Sequence, residues 1–80
     1  MSKLLSIDER VADGMVLLSV CDFGHVFRGQ LWASCKARKS GRCDASGDLY
    51  KPGALVYRPI GSPQNRMMRI LASAIEGGAP

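Results

Sequence analysis

The chain has 80 residues, 46% hydrophobic and 22% charged. That limits it to one small domain with a single thin core and excludes a disordered, collagenous or coiled-coil chain. The net charge is +4, from 11 Lys and Arg against 7 Asp and Glu, which excludes an acidic mimic of nucleic acid.

Residues 3–21 read as an N-terminal hairpin. Leu5, Ile7 and Val11 alternate with polar neighbours, and Asp13-Gly14 stands directly before the Val16, Leu18, Val20 alternation. Asp-Gly between two alternating runs is a strong hairpin signal, because both turn positions need positive φ. A competing reading is a short helix, with Ser6 and Glu9 in a capping-box pattern and Gly14 as its stop. The hairpin is preferred, since a helix this short is marginal alone.

Phe23 to Gly29 reads as a loop, with Phe23 and Phe27 pinning it to the core. Residues 30–58 form a basic strand-turn-strand region. In Gln30 to Arg38, Leu31, Ala33, Cys35 and Ala37 share one face, while Gln30, Trp32, Ser34, Lys36 and Arg38 share the other. This pattern predicts a strand with its Leu31 face inward. Trp32, on the polar side, is either covered by the C-terminal helix, the preferred reading, or part of a contact surface. Ser40-Gly41 and Ser46-Gly47 flank a compact turn around Cys43, and Lys51-Pro52-Gly53 makes a second turn. Leu55 and Tyr57 then share one face of a short strand that Pro59 stops.

Residues 62–76 read as a helix, with Ser62 as N-cap, Pro63 at the first position and Gly77 as C-cap. Met67, Ile70, Leu71, Ala74 and Ile75 recur at helical spacing. Residues 77–80 are expected to form a flexible tail. The expected fold is α+β: a small twisted antiparallel sheet of four or five strands with one C-terminal helix on one face. Its expected core is Leu5, Ile7, Val16, Leu18, Val20, Leu31, Ala33, Cys35, Leu55, Tyr57, Ile70, Leu71 and Ile75.

Charge is unevenly spread. Up to Phe23, Lys3 and Arg10 face Asp8, Glu9, Asp13 and Asp22, a net −2; from Gly24 onward nine bases face three acids, a net +6. Lys36, Arg38, Lys39 and Arg42 fall within seven residues without an acid. Such a cluster attracts phosphate or an acidic protein surface, and equally serves as a solvated loop. Lys51, Arg58, Arg66 and Arg69 extend it, and Trp32 and Tyr50 are candidates to stack on bases beside it.

Cys21, His25, Cys35 and Cys43 are formally a Cys3His set, but only Cys21 and His25 approach the close pairing of a structural zinc site. No cofactor is therefore expected. Cys43-Asp44-Ala45-Ser46-Gly47 has the outline of a zinc-knuckle hairpin with Ser46 in place of the second cysteine. Asp44 and Ser46 would keep such a turn through side-chain-to-backbone bonds. His25 is the sole histidine, and no spacing sets a cysteine against it as a nucleophile pair, so no enzyme is expected.

A set of positions also occurs together: Gly24-His25, Gly29-Gln30 with Trp32, Ala37-Arg38, Ser40-Gly41, Cys43, Ser46-Gly47, Gly53, Val56-Tyr57-Arg58-Pro59 and Ile70-Leu71-Ala72, with Asp13-Gly14 ahead of them. In these the chain resembles a family of functionally uncharacterised small bacterial domains. The resemblance implies a shared framework and carries no catalytic residue.

The expected function is that of a small binding protein acting through its basic surface. Chains of this kind are typical of phage and mobile elements, as inhibitors of a host nucleic-acid-handling defence machine of anti-CRISPR or anti-restriction type. The expected partner is an acidic protein surface or ribonucleoprotein complex. The alternative is a DNA- or RNA-binding module related to metal-free zinc-ribbon hairpins. The oligomeric state stays open between monomer and homodimer. Being without a membrane span or secretory pattern, the protein is expected in the cytoplasm.

Overall fold

The computed structural model describes residues 4–22 and 25–76. Phe23, Gly24, the Gly77 cap and the 77–80 tail lie outside the described residues, as does the side chain of Leu5. Seven strands, a 3-10 turn and a short helix follow in order: β1 (Leu4–Ala12), β2 (Met15–Asp22), β3 (His25–Lys36), β4 (Gly41–Arg42), β5 (Leu49–Tyr50), β6 (Leu55–Pro59), the 3-10 turn Pro63–Asn65, β7 (Ile70–Leu71) and α1 (Ala72–Glu76). Five strands make one antiparallel sheet in the order β1-β2-β3-β6-β7, and β4-β5 is a separate two-stranded ribbon. The architecture is mainly antiparallel sheet with one short C-terminal helix, so helix contributes less than an α+β fold implies.

β1 and β2 join through Asp13-Gly14, where Gly14 takes φ +74. The turn is also wedged against β3. Ser34 N–H donates to the Gly14 carbonyl at 2.7 Å, and a Cβ added at Gly14 would stand 2.5 Å from Ser34 Oγ. Glycine is demanded twice over, by its backbone angle and by this approach.

Register assigns the faces. Val16 pairs with Trp32 and Trp32 with Pro59; Leu18 pairs with Gln30; Ser34 pairs with Tyr57 and Tyr57 with Ile70. Paired residues share a face, so Val16, Leu18, Gln30, Trp32, Tyr57 and Ile70 point the same way. Val16, Leu18, Val20, Trp32, Tyr57 and Ile70 form one buried cluster with Cys43, Ala72 and Ile75. This reverses the orientation expected for β3. Trp32 lies on the inner face at 0% exposure, while Leu31, Ala33 and Cys35 are half-buried on the other. The reason is size: one indole supplies more buried apolar area than Ala33 and Cys35 offer together. Gln30, beside Trp32 on this face, has its side-chain amide paired. Gln30 donates to Ser62 Oγ at 2.8 Å and accepts from Asn65 Nδ2 at 2.9 Å, fastening the 62–65 segment over the inner face. Among the described residues the Trp32 indole N–H alone is a buried side-chain polar atom without a partner.

Other expectations also need correction. Residues 25–29 are strand, not loop; β3 absorbs Arg28 and Gly29 as a bulge between the Leu18–Gln30 and Val20–Phe27 pairs, with Gly29 at φ +59. The helix expected over 62–76 is broken. Ser62 makes no capping bond. Ile70 pairs with Tyr57 and Leu71 with Val56, so a spacing that suits a helix is used partly as strand. Met67, a member of the expected stripe, is 78% exposed. In the expected core, Leu71 is half-buried and Ile7 and Leu55 are exposed.

Candidate partner surface

The cations read from the sequence separate into three places. Lys36 ends β3, Arg38 and Lys39 occupy the turn after it, Arg42 lies in β4 and Lys51 follows β5. Two backbone bonds draw these segments together: Gly53 N–H to the Ala37 carbonyl and Ala37 N–H to the Ala54 carbonyl, both 2.8 Å. All five side chains are exposed at this end of the sheet. Arg42 also donates to the Gly47 carbonyl at 2.9 Å. Among the described residues none of the five is ion-paired with a carboxylate, Asp13 of the neighbouring turn included.

Arg58 is exposed but sits on the outer sheet face, opposite Ala33. Arg66 stands in the connection before β7. Arg69 is half-buried, and its guanidinium donates to the Arg66 and Met68 carbonyls at 2.8 and 2.7 Å. Trp32 is unavailable to any surface partner, being fully buried. Tyr50 is half-buried and lies across Gly41, where an added Cβ would stand 2.6 Å from its hydroxyl. Aromatic stacking on bases beside the cations is therefore not provided by Trp32, and Tyr50 is partly engaged.

The Cys43 turn is built as a knuckle. Cys43 N–H donates to the Asp48 carbonyl at 2.7 Å, and Gly47 N–H to the Cys43 carbonyl at 2.9 Å. Ser46 N–H donates to Cys43 Sγ at 3.3 Å, and Ser46 Oγ accepts from Asp48 N–H at 3.3 Å. Asp44 ties the turn to the strand beside it: its carboxylate accepts Arg69 N–H, and its own N–H donates to the Arg69 carbonyl, both at 2.8 Å. Leu71 N–H gives Cys43 Sγ a second donor at 3.2 Å. Burial pushes this thiol up, but the hydrogen bonds from Ser46, Leu71 and Ala45 outweigh it and hold the pKa below the ordinary thiol value. Sequence reasoning found Cys43 through its turn residues, but missed the Leu71 donor, because that strand was read as helix.

Cys21 and His25 lie at one end of the β2–β3 pair, Cys35 near the other end of β3, and Cys43 under the inner face. Among the described residues no group of three His, Cys, Asp or Glu converges. His25 is exposed and stacks on Phe27, with ring centroids 6.4 Å apart. Sequence analysis missed the open groove beside them, about 780 Å³, walled by His25, Phe27, Asp44, Asn65, Arg66 and Met67.

The family described as Domain of unknown function (DUF3331) matches residues 3–77. The chain belongs to that family. No curated protein and no solved structure matches it. The residues of the DUF3331 match include the hairpin, the Cys43 turn and the Val56-Tyr57-Arg58-Pro59 strand. In this DUF3331 domain no helix among the described residues is long and apolar enough to cross a membrane.

Proposed function

We propose that this chain is a small non-enzymatic binding protein that works through the basic end of its sheet on an acidic protein surface or a ribonucleoprotein complex. The observation that carries this reading is the grouping of exposed Lys36, Arg38, Lys39, Arg42 and Lys51, without carboxylate partners among the described residues, where the end of β3 meets the β4–β5 ribbon. Unpaired cations raise local potential and steer an acidic partner to that end. The burial of Trp32 favours a protein partner over single-stranded nucleic acid, which is usually held by exposed aromatic platforms. The setting that fits is inhibition of a host nucleic-acid-handling defence machine, of anti-CRISPR or anti-restriction type, by a phage or mobile element working in the cytoplasm.

The test is capture of partners from host lysate by the tagged chain, with and without nuclease. A stoichiometric protein should be retained, released by salt, and lost with the Lys36/Arg38/Lys39/Arg42→Ala variant. Equal capture by wild type and variant refutes the reading.

The second reading, a nucleic-acid module related to metal-free zinc-ribbon hairpins, draws on the knuckle bonds around Cys43. It predicts duplex or single-stranded DNA binding with a log-log salt slope of about −0.9 per phosphate neutralised on duplex. A gel-shift series at low salt decides it. The absence of a shift would eliminate this alternative.

A further inference from the structure

The outer face of the sheet is apolar along β2 and β3, where its side chains keep part of their surface in water, while Val56, beside them on β6, is fully buried. Met15, Leu17, Leu31, Ala33, Cys35 and Val56 lie on it by register. The Cys43 turn, the 62–65 segment and α1 all lie over the inner face. Met15, Leu17, Leu31, Ala33 and Cys35 are half-buried in the single chain.

We propose that this outer face binds a second copy of the chain, the two sheets packing face to face about a two-fold axis that runs along the strands between β2 and β3. The placement of Glu9 and Arg58, on opposite sides of the β2–β3 pair, fits that partner and that axis. β1 carries acids on the outer face: Glu9 pairs with Leu17, and Asp8 accepts from Ser19 Oγ at 2.7 Å. β6, two strands beyond β2, carries Arg58 on the same face. A two-fold axis between β2 and β3 lays β2 on the partner's β3 and β1 on the partner's β6. Leu17 and Met15 then meet Leu31 and Ala33, and each Glu9 comes onto the partner's β6 one row from Arg58. A rotation about the strand direction keeps each residue's height. Glu9 lies in the Leu17–Leu31 row and Arg58 in the Ala33–Met15 row, two residues or about 7 Å along the strand, within reach of a long Arg and Glu pair. Such a contact is isologous and closes on itself.

The sheet's edges are poorer candidates for association. β1 is interrupted by register shifts between Ile7 and Glu9 and between Arg10 and Ala12, and β7 has two residues. Bulges and short strands blunt an edge against pairing. The same axis sets both basic ends side by side, which would give the proposed partner surface two equivalent contacts. The dimer itself needs no such partner to be tested.

The experiment is molar mass by light scattering and sedimentation across a concentration series of the full chain. Wild type should reach twice the chain mass. Leu31→Glu should remain at chain mass with unchanged far-ultraviolet dichroism. Glu9→Arg and Arg58→Glu, both at exposed positions, should each weaken the dimer, and their combination should restore it. Wild type at chain mass throughout, a dimer indifferent to Leu31→Glu, or a charge-swapped pair that fails to restore association would each overturn the proposal.

Discussion

Trp32 decides which face of β3 is the inside. It is fully buried, and a Trp side chain carries about 150–250 Å² of surface. At about 25 cal/mol per Å² its burial is worth about 4–6 kcal/mol before correction. Truncation to Ala also removes the unpartnered indole N–H, whose burial costs about 1–3 kcal/mol. Trp32→Ala should therefore destabilise by about 3–4 kcal/mol, within the range for large aromatic truncations. Total stability for 80 residues is about 4–12 kcal/mol, so the variant should be close to unfolding near the lower bound. Leu31→Ala, on the half-buried outer face, should cost about 1 kcal/mol, because only part of the leucine leaves water. Trp32→Phe should cost less than Trp32→Ala, since the ring remains and the orphan donor goes. The assay is urea unfolding followed by far-ultraviolet dichroism, at concentrations low enough to keep the chain monomeric. Trp32 is the single tryptophan, so its native emission should be blue-shifted and shielded from iodide. A larger loss for Leu31→Ala than for Trp32→Ala, or a solvent-exposed native emission spectrum, would refute the face assignment.

Cys43→Ala should cost about 2–4 kcal/mol in chemical unfolding, because it orphans the Ser46 and Leu71 N–H donors as well as opening a small void. The lowered Cys43 pKa has a definite sign: the folded state favours the thiolate, so its stabilisation is complete above the unfolded thiol value of 9.0 and is lost as pH falls through the lowered native value. The melting-temperature gap between wild type and Cys43→Ala should thus widen as pH is raised from neutrality towards 9.0; a constant gap would contradict it. Gly14→Ala should destabilise by more than about 1 kcal/mol in urea, since both the φ of +74 and the Ser34 side chain oppose a Cβ. Gly41→Ala should displace the Tyr50 ring, seen as a shift of its ring resonances without loss of the five-stranded sheet.

How far the sequence could be read depended on whether a local signal had a tertiary competitor. Asp13-Gly14 had none, because the turn needs its own φ values whatever packs against it. The Cys43 turn was legible for the same reason, its bonds running mostly among residues 43–48. β3 was different: alternation identifies two faces but not which is inner, and although Trp32 reads as covered by the C-terminal segment, Gln30 and Ser34 beside it favoured the Leu31 face as the inner one. The Asn65 and Ser62 side chains that satisfy Gln30 come from 35 and 32 residues away, and no local pattern announces them. The 62–76 stretch failed by the opposite route. Its 3.6 spacing is genuine, but Asp44 takes the Arg69 N–H that an unbroken helix would use, and Tyr57 pairs with Ile70.

The same competition explains the candidate surface. Of ten residues nominated for it, Lys36, Arg38, Lys39 and Lys51 flank the Ala37–Gly53 and Ala37–Ala54 bonds, and Arg42 follows three residues after Lys39 in the β4–β5 ribbon. Chain proximity sufficed for them. Trp32 was lost to the core, which in a chain this small cannot spare its one indole. Arg69 was drawn back to cap carbonyls left open where the 3-10 segment ends. Arg58 took the outer face, since Tyr57, its neighbour, had to face inward. That displacement makes Arg58 more useful as a probe. Arg58→Glu should weaken self-association while leaving the basic end intact, whereas Lys36/Arg38/Lys39/Arg42→Ala should abolish partner capture without changing the mass of the free chain. If either variant produced both effects, the two surfaces would be one, and the separation of a sheet-face contact from a basic-end contact would fail.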